Sequence, residues 1–261
     1  MSAVRVFFIG GYLAYRALFN WIHPGMYIPT MLAGPIFQVL FFAYVGRFVG
    51  LQNDSFFVVG NAIVISAMAG IFGTAMAIGG ERWTQTLSPL LATPANRAAL
   101  FLGRALPFIA NGIFVSAFGF VCGWLFLDFD PSLSSLPVLA LIVAASATSC
   151  TALGLCVGAT GLRARDVMFL ANLVTFLLVL LTGANVPLDV MPAWMEVVAR
   201  ALPMTHGIEA GREVAAGATL GDVDHLLSIE LAIAALYGAL GYWLFRFFEF
   251  EGRRRASLET I

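Results

Sequence analysis

His206, Glu209 and Arg212 recur at three-residue intervals and are the only base, acid and cation placed to suggest proton-transfer chemistry on a bound substrate. That spacing drifts around a helix and does not hold one face. Neither a nucleophile nor a metal-ligand set accompanies the trio. The other histidines, His23 and His225, flank no His or Cys partner, so the sequence gives a metal site no support. Cys122, Cys150 and Cys156 show no paired spacing and read as small apolar packing residues. All 14 basic side chains are arginine. A phosphate-binding loop needs a lysine that reaches the terminal phosphates, so this chain carries no such loop.

The elements that must position these residues are membrane helices. Of 261 residues, 60% are hydrophobic and 11% charged, whereas soluble domains carry roughly a quarter charged residues. Six stretches lack Asp, Glu, Lys and Arg: Ile28 to Gly46, Ser55 to Gly80, Ala105 to Leu127, Pro131 to Leu162, Val167 to Leu188, and Leu231 to Phe245. The first five reach the roughly 18 to 20 residues that a helix needs to cross a bilayer. The last does so as Leu226 to Phe248, with Glu230 and Arg246 near its ends and able to snorkel toward headgroups. The expected fold class is an all-α membrane protein with six transmembrane helices in one domain, 1–261.

Charge fixes an orientation. With the N-terminus inside, Arg5, Arg16, Arg82, Arg97, Arg104, Arg163, Arg165, Arg246 and Arg253 to Arg255 fall on the cytoplasmic side, against Arg47, Arg200 and Arg212 outside. Both termini are therefore expected in the cytoplasm, in a multi-pass protein of the plasma (cytoplasmic or inner) membrane. A cleaved leader is not expected, because Arg16 interrupts the first apolar stretch. In residues 1–24, Val4, Phe7, Phe8, Tyr12, Tyr15, Leu18, Phe19 and Ile22 share a broad helical face opposite Arg5, Arg16 and Asn20. That pattern suits an interfacial helix, ended by Pro24-Gly25.

Two connections are informative. In 81–97, Leu87, Leu90 and Leu91 follow i, i+3, i+4 spacing, which fits either a short amphipathic helix that docks a cytoplasmic partner or a solvated connector. In 187–215, Pro187, Pro192 and Pro203 interrupt any helix, so short broken helices are expected there, with Trp194 anchored at headgroup depth. Glu209, Arg212 and Glu213 read by themselves as a surface ion-pair cluster of little energetic weight. Among the polar residues inside spans, Gln38, Asn61, Asn172, Thr175 and Thr182 either line a substrate path or hydrogen-bond between helices. Ser66, Gly70, Gly73 and Ala77 form a small-residue stripe that reads as close packing. No span reads as holding a midplane carboxylate, which counts against an ion-coupled carrier.

The segment 81–97 resembles the coupling region of type-2 ATP-binding-cassette exporter permeases. Glu81-Arg82, Thr86-Leu87, Leu90-Leu91, Thr93-Pro94 and Arg97 match that pattern in order. Gln85 replaces the usual glycine, Ser88 the usual acid, and Pro89 is an added break. A second match runs through Thr182 to Pro187, Met191 to Trp194, Leu202 to Thr205 and Ala210 to Arg212, and is similar to the family's extracytoplasmic hairpin between helices 5 and 6. Leu202-Pro203-Met204-Thr205 resembles the drug and nodulation-factor branch more than the polysaccharide branch.

The resemblance implies a permease subunit with an N-terminal interfacial helix, a cytoplasmic coupling helix and an extracytoplasmic broken-helix hairpin. Glu81, Arg82, Thr86, Leu87, Leu90, Leu91 and Pro94 would meet the partner ATPase. Gln38, Asn61, Asn172, Thr175 and Thr182 would line the path, and Pro187, Trp194, Glu209 and Arg212 the outer gate. It implies no cofactor in this chain, with ATP and Mg on two copies of a cytoplasmic ATPase subunit. A second permease protomer is expected, a homodimer in preference to a heterodimer, surrounded by membrane lipid. Nucleic acid is not an expected partner. The cargo implied is amphipathic, drug-like, lipid or glycolipid. The alternatives are an ion-coupled secondary transporter and a polytopic lipid-modifying enzyme using His206, Glu209 and Arg212.

Overall fold

Uncharged runs of Leu, Val, Ala, Phe and Gly have no water to satisfy their backbone inside a bilayer, and a helix satisfies it internally. In the computed structural model every regular element among the described residues is a helix. The structure describes residues 3–21, 24–50, 54–83, 96–163 and 166–255, with side chains for 4–16, 32–50, 54–79, 96–163 and 166–251. The long elements are α1 (Ala3–Trp21), α2 (Pro24–Phe48), α3 (Asp54–Trp83), α5 (Leu106–Phe126), α6 (Leu136–Gly161), α7 (Val167–Leu181) and α10 (Leu220–Arg255). Between them lie the short α4 (Arg97–Gly103), a 3-10 turn at Leu188–Val190, α8 (Ala193–Ala201) and α9 (Thr205–Ala215).

Helix α3 is the centre of the bundle. It packs on α5 and α6, and also on α2, α7 and α9, while α6 is covered on its other side by α10. The small-residue stripe is packing: Gly70 lies against Thr151 and Gly73 against the Phe108 ring. The facing helices answer with glycines of their own. A Cβ on Gly154 of α6 would stand 2.8 Å from the Ile71 Cα, so the two backbones approach closely only because this residue has none. Val58, Ile63, Ile71, Ile142 and Leu178 fill the core around these contacts.

Among the described residues four helical segments are long and apolar enough to cross a membrane: Asp54–Gly79, Arg97–Phe126, Leu136–Gly161 and Leu220–Glu251. Leu32–Phe48 and Val167–Leu181 are shorter apolar helices. Several boundaries differ from the sequence expectation. The expected span to Leu188 stops as a helix at Leu181, because Gly183 takes φ +79° and starts a turn. The stretch from Pro131 becomes helical at Leu136. The last helix is longer than expected, at 36 residues or roughly 54 Å, more than a bilayer with its headgroups. Helix α1 packs on α4 and α5 through a narrow face that includes Val6 and Gly11. Val4, Phe8, Tyr12 and Tyr15 stay exposed on it. Large outward side chains on the other helices, such as Phe41, Phe114, Trp124, Phe176 and Trp243, leave an apolar exterior unlike that of a soluble monomer.

Candidate functional site

Between α7 and α10 the three prolines and two backbone reversals break the chain into short pieces. Pro187 precedes the 3-10 turn, Pro192 precedes α8, and Met204 holds the left-handed conformation, φ +64°, before α9. This hairpin is tied to the bundle by Arg212. Its Nη2 donates to the carbonyls of Gly183 and Ala184, each at 2.9 Å, and to that of Phe56 at 3.3 Å. The guanidinium also lies 3.4 Å above the Phe56 ring centroid. Burial lowers the Arg212 pKa to about 9, opposed by the nearby Glu209 charge, so the side chain remains protonated at neutral pH. Gly60 of α3 makes the arrangement possible, since a Cβ there would collide with the Ala184 carbonyl.

Arg212, Glu209, Glu213 and Thr182 border one open cavity of about 200 Å³, together with Gly183 and Leu188. The structure therefore brings Thr182, Glu209 and Arg212 together. Trp194 stands apart on α8, 66% exposed. Arg212 commits its donors to carbonyls and is not a member of a surface ion-pair cluster. Among the described residues Glu209 makes only loose ion-pair approaches, 3.9 Å to Arg200 and 4.0 Å to His206 Nδ1. His206 Nε2 faces the Arg200 carbonyl at 3.0 Å, where it must be the donor. His206 and Arg212 are thus committed to different backbone carbonyls, with Glu209 bordering the cavity beside Arg212.

The span polar residues fall into two sets. Gln38 Nε2 donates to Asn61 Oδ1 at 3.1 Å, and Asn61 Nδ2 donates to Asn185 Oδ1 at 2.9 Å. This amide chain joins α2, α3 and the loop after α7. Thr175 and Thr182 are buried and donate to carbonyls of their own helix, Ala171 and Leu178. Asn172 is exposed and bonds to Met168 O. Asn185 has no role in the sequence reading beyond its place in a motif.

Glu230 corrects that reading. Expected near the rim and snorkelling, it is fully buried, 0% exposed, inside α10. One carboxylate oxygen accepts from the Ser149 hydroxyl of α6 and from Met204 N–H at 2.7 Å, and the other accepts from Gly207 N–H at 3.3 Å. It satisfies orphan donors at the start of α9, where the helix dipole favours negative charge. A lone acid within an apolar run was the available signal; its partners lie on other helices and are not visible in one dimension.

At the opposite end of the bundle the arginines gather. Arg104 donates to the Ala77 carbonyl at 2.9 Å, Arg163 pairs with Glu251 at 2.9 Å, and Glu249, 4% exposed, holds Arg246 at 2.7 Å and Arg97 at 3.4 Å. Asn96 caps α4 by accepting from Ala99 N–H. The expected coupling residues Thr86, Leu87, Leu90, Leu91 and Pro94 lie outside the described residues, as do the side chains of Glu81 and Arg82 on the last turn of α3.

An apolar helical bundle with a broken hairpin at one end and clustered arginines at the other defines a membrane-embedded class of protein. Residues 11–215 match the family described as ABC-2 type transporter, and the chain belongs to that family. It is similar to "Nodulation protein J" of Rhizobium leguminosarum bv. trifolii, 30% identical over 188 residues that cover 69% of this chain and 68% of the relative. The chain is thus a membrane transport protein of the ABC permease kind.

Proposed function

We propose that this chain is the permease subunit of an ATP-driven exporter. Two copies form a path for an amphipathic, drug-like, lipid or glycolipid cargo, and two copies of a separate cytoplasmic ATPase hold ATP and Mg. The observation that carries this reading is the family match over residues 11–215 in a chain with no lysine, and hence no phosphate-binding loop of its own. Six spans with both termini in the cytoplasm, across the plasma membrane, fit the arginine asymmetry. Helix α1, with its exposed aromatic face, lies in the inner interface.

In this reading 81–97 receives the force of nucleotide-domain closure through Glu81, Arg82, Thr86, Leu87, Leu90, Leu91 and Pro94. Its far end is anchored where Arg97 meets Glu249. Gln38 and Asn172 face the path, with Asn61, Thr175 and Thr182 behind them. The hairpin, with Pro187, Trp194, Glu209 and Arg212, closes the outer end. The chain, solubilised from its native membrane and pulled down, is expected to bring an ATP-hydrolysing subunit with it. Arg82→Glu or Leu90→Pro should remove that subunit while the chain remains inserted; unaltered co-purification with both variants would falsify the assignment.

One observation favours a second reading. The buried Glu230 gives the last span the kind of acid that an ion-coupled carrier uses. Its oxygens are already committed to two backbone N–H groups and a hydroxyl, which favours a fixed role. Transport that follows an imposed proton or sodium gradient without ATP would reverse this ranking.

A further inference from the structure

Helix α10 is held by buried carboxylates at two levels. Near the arginine-rich end, Glu249 binds Arg97, the last residue of the coupling segment. About 28 Å away along the helix, close to the thickness of a bilayer's hydrocarbon, Glu230 binds the start of α9. The contact at Glu230 is specific. It joins α10 to α6 through Ser149 and to the hairpin through Met204 and Gly207. Met204 is a non-glycine residue at φ +64°, a sparsely populated conformation that persists only where surrounding contacts enforce it. Its N–H is the backbone donor that Glu230 accepts most closely, and its side chain is fully buried. The hairpin is therefore attached to α10 at a left-handed turn whose Met204 N–H is held by the Glu230 carboxylate.

We propose that Glu230 is a positioning residue for transport, the joint through which α10 carries movement of the coupling end to the hairpin. This rests on the permease reading above. Nucleotide-driven displacement at Arg97 and Glu249 shifts α10, and the bonds from Glu230 to Met204 and Gly207 oblige α9 and the hairpin to follow. Without the carboxylate the Met204 turn relaxes, and the hairpin no longer reports the state of the ATPase.

The test uses the whole complex, chain plus ATPase subunit, in nanodiscs. Val197→Cys places a thiol on α8 at a position 71% exposed, while the native Cys122, Cys150 and Cys156 are buried. The maleimide labelling rate of this introduced thiol is measured with and without ATP, Mg and orthovanadate. With Glu230 present, nucleotide should change the rate by about fivefold or more, the low end of ordinary coupling between sites. Glu230→Leu should make the rate independent of nucleotide while ATPase activity and subunit association persist. Glu230→Gln keeps an acceptor for Met204 N–H but none for Gly207, and should retain a reduced response; it also guards against failure of the leucine variant to fold. Ser149→Ala, which leaves both backbone bonds intact, should preserve most of the response. A full response in both Glu230 variants, with only a lowered melting temperature, would make Glu230 a structural cap and overturn the proposal. So would an absent response in the protein that retains Glu230, when the ATPase has co-purified. Absence of any ATPase subunit overturns the permease reading itself.

Discussion

Arg212 joins three backbone carbonyls from two separate segments, and no other basic side chain reproduces that geometry. A lysine keeps the charge but loses the planar guanidinium, which stacks on the Phe56 ring while its Nη2 meets the carbonyls of Phe56, Gly183 and Ala184, and its ammonium is more strongly hydrated and costlier to bury. Arg212→Lys should cost about 1–3 kcal/mol, because buried carbonyls lose their donor, read as a lower unfolding midpoint in detergent. Gly60→Val should act on the same contact from the α3 side, since its Cβ meets the Ala184 carbonyl. The two changes combined should be markedly less than additive, as expected for residues sharing one contact. Asn61→Leu is milder, at about 1 kcal/mol, in line with interhelical hydrogen bonds in membranes. At this scale the sequence was legible in type and illegible in partnership. Arg212 stood out beside Glu209, yet its partners are carbonyls, which any residue supplies and no motif advertises.

At the scale of elements, the spans follow from runs without charge, and the packing of α3 follows from where those runs are small. Gly154 and Gly238 both lie in apolar helices, but only the first faces another backbone. Gly154→Leu should separate α3 from α6 and cost about 1–3 kcal/mol or more, by overpacking, with loss of folded protein after detergent extraction. Gly238→Leu, whose Cβ would meet no neighbouring element among the described residues within 4 Å, should be tolerated. Size-exclusion profiles of the two variants give the comparison. The sequence marked the α3 stripe as packing, because close approach needs small side chains at helical spacing. It placed the start of α6 and the end of α7 less well, since apolar composition continues through turns that backbone conformation ends.

For the whole molecule, the arginine asymmetry predicts which end faces the cytoplasm. A membrane-impermeant maleimide applied to intact cells should label the Val197→Cys variant, and a protease added outside should leave the Arg253 to Arg255 tail intact. Labelling of that variant only after permeabilisation would invert the topology. The apolar exterior carried by Phe41, Phe176 and their neighbours must be covered by lipid or by a second protomer. Crosslinking of the chain in its native membrane distinguishes the two.

The sequence alone determined the membrane class, the broken hairpin and the likeness to ABC-2 exporter permeases, because composition, proline spacing and short motifs are properties of neighbouring residues. It also determined that this chain lacks the lysine of a phosphate-binding loop. Only the tertiary structure decided that Glu230 is buried at the start of α9, that Asn61 links Gln38 to Asn185, and that Arg212 holds a loop to α3. Those contacts join segments far apart in the chain, and a polar group inside an apolar bundle finds its role from whichever distant donor or acceptor folding brings to it.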